Sequence, residues 1–178
     1  MITYDDVLAA AARIQGAVLR SPFLRMDGLS RLTGAELYVK LDHLQATGAF
    51  KERGAANRIA LLTEEERQRG VVAMSAGNHA QAVARHAALA GIKATIVMPR
   101  HTPATKVTRT ASWGAHVVLH GENLAEAAAE ARRLEAEEGL FFIHPYDDPA
   151  VMAGQGTMAL EMLQDLSLIH ISEPTRPY

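Results

Sequence analysis

Lys51 is the residue whose type and position point most directly to chemistry. It lies in the first turn of a predicted helix over residues 50–62, where the positive end of the helix macrodipole disfavours a cation. We expect this position, together with the neighbouring Arg53, to lower the pKa of the Lys51 amine, as a lysine that forms Schiff bases requires. Lysines that only point into solvent occupy similar positions, so the residue type alone leaves both interpretations open.

A second candidate site is the corner formed by Ser75, Ala76, Gly77, Asn78 and His79, between a predicted strand and a predicted helix. Small residues let the backbone approach a ligand, and free N–H groups at a helix start bind carboxylate or phosphate. The corner does not match G-x-G-x-x-G, so the dinucleotide fingerprint is absent. The alternative interpretation is a tight turn whose helix is capped by Asn78.

The other lysines favour a simpler interpretation. Lys40 and Lys93 lie on predicted strands, and we expect their alkyl stems to cover the surface while their amines reach solvent. Lys106 lies in the first turns of a predicted helix. Each is interpreted as a solvated surface charge.

Alternating strands and helices are predicted around these residues. The predicted strands cover 36–41, 71–74, 93–98, 116–119 and 140–143, and the predicted helices cover 7–15, 50–62, 78–90, 104–113, 123–138 and 151–163. Short apolar runs that each lead into a helix with a glycine stop are typical of a parallel α/β sheet. The carboxyl ends of such strands share one edge, so loops 46–48 and 75–77 are expected to meet there.

Four ordered motifs together resemble the serine/threonine dehydratase (threonine ammonia-lyase) family. They are DHLQATGAFKERGA at 42–55, SAGNHAQ at 75–81, the stretch 98–107 and HPYDDP at 144–149 leading into AGQGT at 153–157. The resemblance covers nearly all of residues 1–165. It implies an α/β fold of the tryptophan synthase β-like class (fold type II), with parallel sheets and flanking helices, and pyridoxal 5′-phosphate as cofactor.

The resemblance also implies roles for single residues. Lys51 would be the catalytic residue and bind the cofactor covalently, Phe50 would pack against the cofactor ring, and Asn78 would hydrogen-bond its phenolic oxygen. The loop Ser75-Ala76-Gly77-Asn78-His79 would hold the substrate carboxylate. The implied reaction is β-elimination of water from threonine or serine, which yields a 2-oxo acid and ammonia.

One departure bears on the type of reaction. Serine racemases of this family have a second serine where this chain has Ala76, and alanine cannot transfer a proton, so the sequence favours elimination over racemisation. The alternatives are a serine racemase, a hydroxyaspartate-type ammonia-lyase of the same fold, or a non-catalytic α/β module that binds a carboxylate.

The resemblance further implies how the chain is divided. Residues 1–36 would begin the large domain, and residues 151–165 would return to it. Residues 37–150 would form the small α/β domain, which contains the loop 75–79, called the asparagine loop below. Residues 166–176 resemble the translation of a sequencing adapter, so we expect residues 166–178 to be a non-native tail. The phosphate cradle of the family would lie downstream, and we therefore expect an incomplete fold and a largely inactive fragment.

Composition excludes several classes of protein. Of the 178 residues 48% are hydrophobic and 21% charged, the net charge is −2 and there is no cysteine, which argues against disorder, disulfides and thiolate metal sites. We expect no metal site, no nucleic-acid partner, no membrane span and a cytoplasmic protein. The expected partner is a small amino-acid substrate, with a homo-oligomer at full length by resemblance.

Overall fold

The computed structural model of the chain describes residues 1–166. The helices in this part are α1 (Tyr4–Ile14), α2 (Asp27–Thr33), α3 (Lys51–Ala60), α4 (Glu64–Arg69), α5 (Asn78–Leu89), α6 (Ala104–Ala111), α7 (Leu124–Glu138) and α8 (Pro149–Asp165), with a short 3-10 helix at Asp42–Leu44. The strands are β1 (Phe23–Arg25), β2 (Tyr38–Lys40), β3 (Val71–Met74), β4 (Ala94–Met98), β5 (His116–Leu119) and β6 (Phe141–Phe142). Apart from Leu166, the predicted non-native tail lies outside the described residues.

A parallel sheet forms the centre of the fold, with strand order β5-β4-β3-β6. On one face Val71 and Ile96 are fully buried against α3 and α5, and on the other Val72 and Val97 are fully buried against α7. Strands buried on both faces need the near-continuous apolar runs that the sequence contains. The predicted α/β class, a parallel sheet with flanking helices, is confirmed.

The predicted strand at 36–41 does not belong to this sheet. Its observed part, β2, pairs antiparallel with β1 in a separate two-stranded sheet, in which the rings of Phe23 and Tyr38 are 5.8 Å apart. The segment alternates apolar and polar residues, which suits an antiparallel strand with one solvated face and not a strand buried on both sides. The expectation that it begins the parallel series was wrong, and β1 was not predicted.

Helix α3, which begins at Lys51, packs between α5 and α8. Its contact with α8 is made through glycines: a Cβ at Gly154 would lie 2.6 Å from the carbonyl oxygen of Arg53 and 2.7 Å from the Cα of Gly54. The two backbones are therefore in direct contact, and small residues at this crossing fix where α3 lies.

Side-chain caps set several of the helix starts. A Thr3–Asp6 capping box begins α1, Asn123 caps α7, and Asp148 caps α8 by accepting from the N–H groups of two residues in its first turn. Within residues 1–166, none of the helices is both long enough and apolar enough to cross a bilayer.

Candidate active site

Lys51 is the first residue of α3, and its amine points towards the segment that follows β6. Nζ donates a hydrogen bond to the carbonyl oxygen of Pro145 at 2.7 Å and lies 5.4 Å from the centre of the Phe50 ring. Burial lowers the pKa of the Lys51 amine below its usual value. The expected direction is confirmed, but the cause is burial and not a neighbouring charge.

Arg53 does not act on Lys51 as expected. Its side chain is fully buried, and its guanidinium binds the carboxylate of Asp42 at 2.7 and 2.9 Å and that of Glu161 at 2.7 and 3.0 Å. Two bidentate carboxylates satisfy its charge. Arg53 therefore joins α3 to the 3-10 helix and to α8, and its charge is neutralised within these pairs.

The expectation that the Lys40 amine reaches solvent was also wrong. Its side chain is 3% exposed, and its amine lies 2.6 Å from Glu161 and donates to the carbonyl oxygen of Ser21 at 2.7 Å. The amine does not reach solvent because Glu161, from α8, meets it in the interior. A single strand position could not reveal this partner, which lies near the other end of the described chain.

The loop before α3 is held by an acidic residue that sequence reasoning missed. Glu52 is 1% exposed, and its carboxylate accepts a hydrogen bond from the backbone N–H of Thr47 at 2.6 Å. The same carboxylate accepts a hydrogen bond from Nη1 of Arg85 at 3.0 Å and lies 3.2 Å from Nε2 of His86. Both residues belong to α5. The only sequence signal was an acid on a helix that is otherwise rich in small residues.

The asparagine loop connects β3 to α5, as predicted. The backbone of Ser75 continues the sheet by donating to Val97, and the Ser75 hydroxyl accepts from the N–H of Gly77. Gly77 occupies the cap position of α5, and Asn78 is the exposed first residue of the helix. Asn78 is therefore not the cap, and the alternative of a turn capped by Asn78 is wrong.

His79 is enclosed, unlike Asn78. Its ring is 3% exposed, Nε2 lies 3.2 Å from the carbonyl oxygen of Ile143, and Nδ1 is buried without a partner among the described residues. Burial lowers the pKa of His79 to about 4, so the ring is neutral near pH 7. A neutral, enclosed imidazole brings no positive charge to a carboxylate. What His79 can offer to an anion is its backbone N–H in the first turn of α5.

The segment 143–145 brings the two motifs together. The Ile143 carbonyl meets His79 from the asparagine loop, and the Pro145 carbonyl meets Lys51, only two residues further on. The positive charge of Lys51 contributes to the lowered pKa of His79, as expected for groups that lie near each other. Sequence reasoning missed this link because main-chain carbonyls carry no residue-type signal.

An open cleft lies beside the asparagine loop, with a volume of about 490 Å³. It is lined by Gly77, Asn78, Gln81, Thr105, Lys106 and Arg109. The lining therefore combines first-turn backbone of α5 with two cationic side chains of α6. Ala76 follows Ser75 at the start of the same loop and contributes no hydroxyl.

The remaining acidic and histidine residues were considered as metal ligands. Asp148 caps α8 and pairs with Arg58 at 3.1 Å. Across residues 1–166, no three histidine, aspartate or glutamate side chains cluster in a way that could bind a metal ion.

The residues around Lys51 fit pyridoxal phosphate. An aldehyde needs an amine that can lose its proton, and the half-buried Lys51 has a lowered pKa. Phe50, whose ring centre lies 5.4 Å from Nζ of Lys51, is exposed, and so is Asn78 at the start of α5. Lys51 would hold the aldehyde carbon, and Phe50 and Asn78 would contact the ring.

Known proteins are similar to this chain over most of its length. It is 49% identical over 171 residues to the L-threonine ammonia-lyase of Thermotoga maritima, covering 96% of this chain and 43% of that protein. Maize serine racemase superposes with a TM-score of 0.90 at 38% identity, covering 94% of this chain and 51% of that one. The processed form of threonine deaminase isoform 2 from Solanum lycopersicum superposes with a TM-score of 0.85 at 36% identity, covering 94% and 48%. The chain thus spans about half the length of the relatives it matches.

A family model supports the same assignment. The model described as "Pyridoxal-phosphate dependent enzyme" matches residues 14–174, which include both the Lys51 helix and the asparagine loop. The matching structures share the tryptophan synthase β-like, fold type II architecture, of which this chain contains about half. The chain belongs to the family of pyridoxal-phosphate-dependent enzymes.

Proposed function

We propose that this chain is part of an ammonia-lyase that removes water from threonine or serine and releases a 2-oxo acid and ammonia. One observation carries the proposal: Lys51 donates to the Pro145 carbonyl, and His79 of the asparagine loop contacts the Ile143 carbonyl, only two residues away in the same segment. Relatives named as threonine ammonia-lyase and threonine deaminase support threonine as the substrate.

The proposed reaction assigns separate tasks to the residues of the site. Pyridoxal phosphate, when bound, would supply an electron sink for negative charge at the substrate Cα. Lys51 takes the α-proton, since its lowered pKa allows the neutral amine to act as a base. The first-turn N–H groups of α5, with Ser75 and Asn78, hold the substrate carboxylate. Phe50 packs against the ring of the cofactor.

Ala76 favours elimination over racemisation. A racemase needs a second acid–base group on the face of the substrate opposite Lys51, and a methyl group cannot carry a proton. Serine racemase nevertheless remains the second candidate, because the maize enzyme superposes closely on this chain. A full-length protein that converts L-serine to D-serine faster than to pyruvate would favour it.

Further parts of the proposal concern the whole protein. Residues 1–36 and 151–165 would belong to its large domain and residues 37–150 to its small domain. The phosphate cradle would lie in the half that this chain does not span, so the fragment is expected to bind the cofactor weakly and turn over little. A cytoplasmic homo-oligomer is proposed for the full-length protein.

Selective trapping of the cofactor tests the site. The chain is mixed with pyridoxal phosphate, reduced with borohydride, and analysed by peptide mass spectrometry. We expect Lys51 to be labelled at a lower cofactor concentration than Lys93 and Lys106, because its lowered pKa leaves more of its amine unprotonated. Lys51→Arg is the matched control and should leave only the labelling of the other lysines.

The same experiment distinguishes the enzyme from a simple carboxylate-binding module. A module of that kind would show no preference for Lys51, and its amines would be labelled according to exposure alone. That result would contradict the proposed function.

A further inference from the structure

We propose that Glu52 is a positioning residue for Lys51, because its carboxylate ties the loop that leads into Lys51 to helix α5. The loop in question covers residues 46–50, and the first turn of α5 carries Asn78. The inference rests on the proposed function only in treating Lys51 as the reactive amine.

The contacts of Glu52 run in two directions. One carboxylate oxygen accepts from the backbone N–H of Thr47 at 2.6 Å, which anchors the loop. The other accepts from Nη1 of Arg85 at 3.0 Å and lies 3.2 Å from Nε2 of His86. One side chain therefore connects α3, the preceding loop and α5.

The carboxylate is fully engaged in these contacts. Burial acts to raise the pKa of Glu52, but hydrogen bonds from His86 and Thr47 and the charge of Arg85 outweigh it and hold the pKa below its usual value. Glu52 is therefore ionised near pH 7. A buried carboxylate that lost these partners would be costly, so the carboxylate keeps its partners in place.

Glu52 acts on Lys51 through geometry and not through charge. The lowered pKa of Lys51 has burial as its cause, with no contribution from the neighbouring carboxylate. The loop reaches the amine through its last residue, Phe50, whose ring centre lies 5.4 Å from Nζ of Lys51, so a shift of the loop changes the surroundings of the amine. The loop turns at Gly48, whose φ is +77°, a backbone conformation that favours glycine. The hydroxyl of Thr47 is buried without a partner among the described residues, so the Thr47 amide is the group that anchors the loop.

The test uses Glu52→Gln in the 178-residue chain without cofactor. Lysine labelled with ¹³C at Cε reports the protonation of each amine by NMR, and Lys51→Arg identifies the Lys51 signal among four lysines. We expect the pKa of Lys51 to move up towards its usual value in the folded variant. We also expect protection of the Thr47 amide against hydrogen exchange to fall roughly tenfold, the effect of losing one charge-assisted hydrogen bond.

Glu161→Gln is the matched control. It also removes a buried carboxylate, but one on α8 that binds Arg53 and Lys40 and does not touch the loop. It should lower stability and shift the Lys40 signal while the pKa of Lys51 stays where it was. If Glu52 only stabilised the fold, Glu52→Gln would leave the pKa of Lys51 unchanged, as Glu161→Gln is expected to do. That outcome overturns the proposal.

A second route covers the case in which Glu52→Gln does not fold. Arg85→Gln changes a partly exposed partner of the same carboxylate, and it should weaken Thr47 amide protection to a smaller extent. An unprotected Thr47 amide in the unmodified chain would also overturn the proposal. Because these measurements contain no cofactor, their failure leaves the trapping experiment at Lys51 as a separate test of the function.

Discussion

At the scale of single residues, burial and not a neighbouring charge lowers the pKa of the Lys51 amine. The positive charge nearest to Lys51 in the sequence belongs to Arg53, yet that charge is satisfied by Asp42 and Glu161 in the interior. Sequence separation therefore says little about which charges a lysine senses. The partners of a buried arginine decide whether its charge acts on other groups.

Arg53→Ala should be strongly destabilising. Removing one partner of a buried ion pair typically costs about 3–5 kcal/mol, because it leaves an uncompensated charge, here on Asp42, whereas Glu161 keeps its ion pair with Lys40. We expect the free energy of unfolding, measured by urea titration, to fall by that amount. Arg133→Ala is the control, because Arg133 pairs with Glu130 and Glu137 on the exposed face of α7, where solvent screens the pairs and the loss should be small. If the two variants lost the same free energy of unfolding, the stronger effect expected for the buried ion pairs would be contradicted.

At the scale of the elements, the position of α3 depends on its glycine contact with α8. Lys51, Glu52 and Arg53 all project from the first turn of this one helix, so a displacement of its axis moves all three. The direct backbone contact at Gly54 and Gly154 leaves no room for such a displacement.

Gly154→Ala should disturb this crossing. Its new methyl group would meet the Arg53 carbonyl at 2.6 Å, and backbone cannot rotate away as a flexible side chain can. Overpacking of this kind costs about 1–3 kcal/mol, and we expect a lower melting temperature by circular dichroism. Gly28→Ala in α2 is the control: nothing lies within 4 Å of its added Cβ, so stability should be unchanged or slightly higher. A Gly154→Ala variant as stable as Gly28→Ala would show that the crossing is loose.

Regular elements and local motifs could be predicted from the sequence, but their partners could not. The apolar runs at 71–74 and 93–98 and the capping box at Thr3 are local signals, and the structure agrees with them. Strand pairing is not local: β2 was assigned to the wrong sheet because its partner β1 has only three residues. The same holds for the candidate site: the position of loop 75–79 between a strand and a helix was predicted, but the contacts of Glu52 and of the Pro145 carbonyl were not.

At the scale of the whole molecule, buried ionisable groups make stability depend on pH. Hydrogen bonds from Arg53 and Ser21 hold the pKa of Asp42 below its usual value despite its burial, and the pKa of Glu52 is lowered in a comparable way. Groups with a lowered carboxyl pKa stabilise the fold above their usual pKa values of 3.8 and 4.5, and this contribution is lost as the pH falls further.

His79 should give an earlier step on acidification. Its pKa falls from the usual 6.5 to about 4 on folding, so the unfolded chain binds a proton first and stability declines as the pH drops from 6.5 towards 4. The decline should approach about 3 kcal/mol, measured by urea unfolding between pH 7 and pH 4. In His79→Gln this decline in the free energy of unfolding should disappear. His116 is exposed, so His116→Gln should show the same decline as the unmodified chain. A slope that survives in His79→Gln would refute the assignment.

The two carbonyls at Ile143 and Pro145 have a consequence for how the site can be dissected. Because the acceptors belong to the main chain, alanine scanning of segment 143–145 removes neither hydrogen bond, and the loss of stability expected at the fully buried Ile143 would report lost core packing instead. Replacing the peptide bond between Pro145 and Tyr146 by an ester weakens the Pro145 carbonyl as an acceptor and leaves every side chain intact, although it also removes the Tyr146 N–H that donates to Nδ1 of His144 at 3.3 Å. Only such a backbone substitution measures what that carbonyl contributes to the placement of the Lys51 amine.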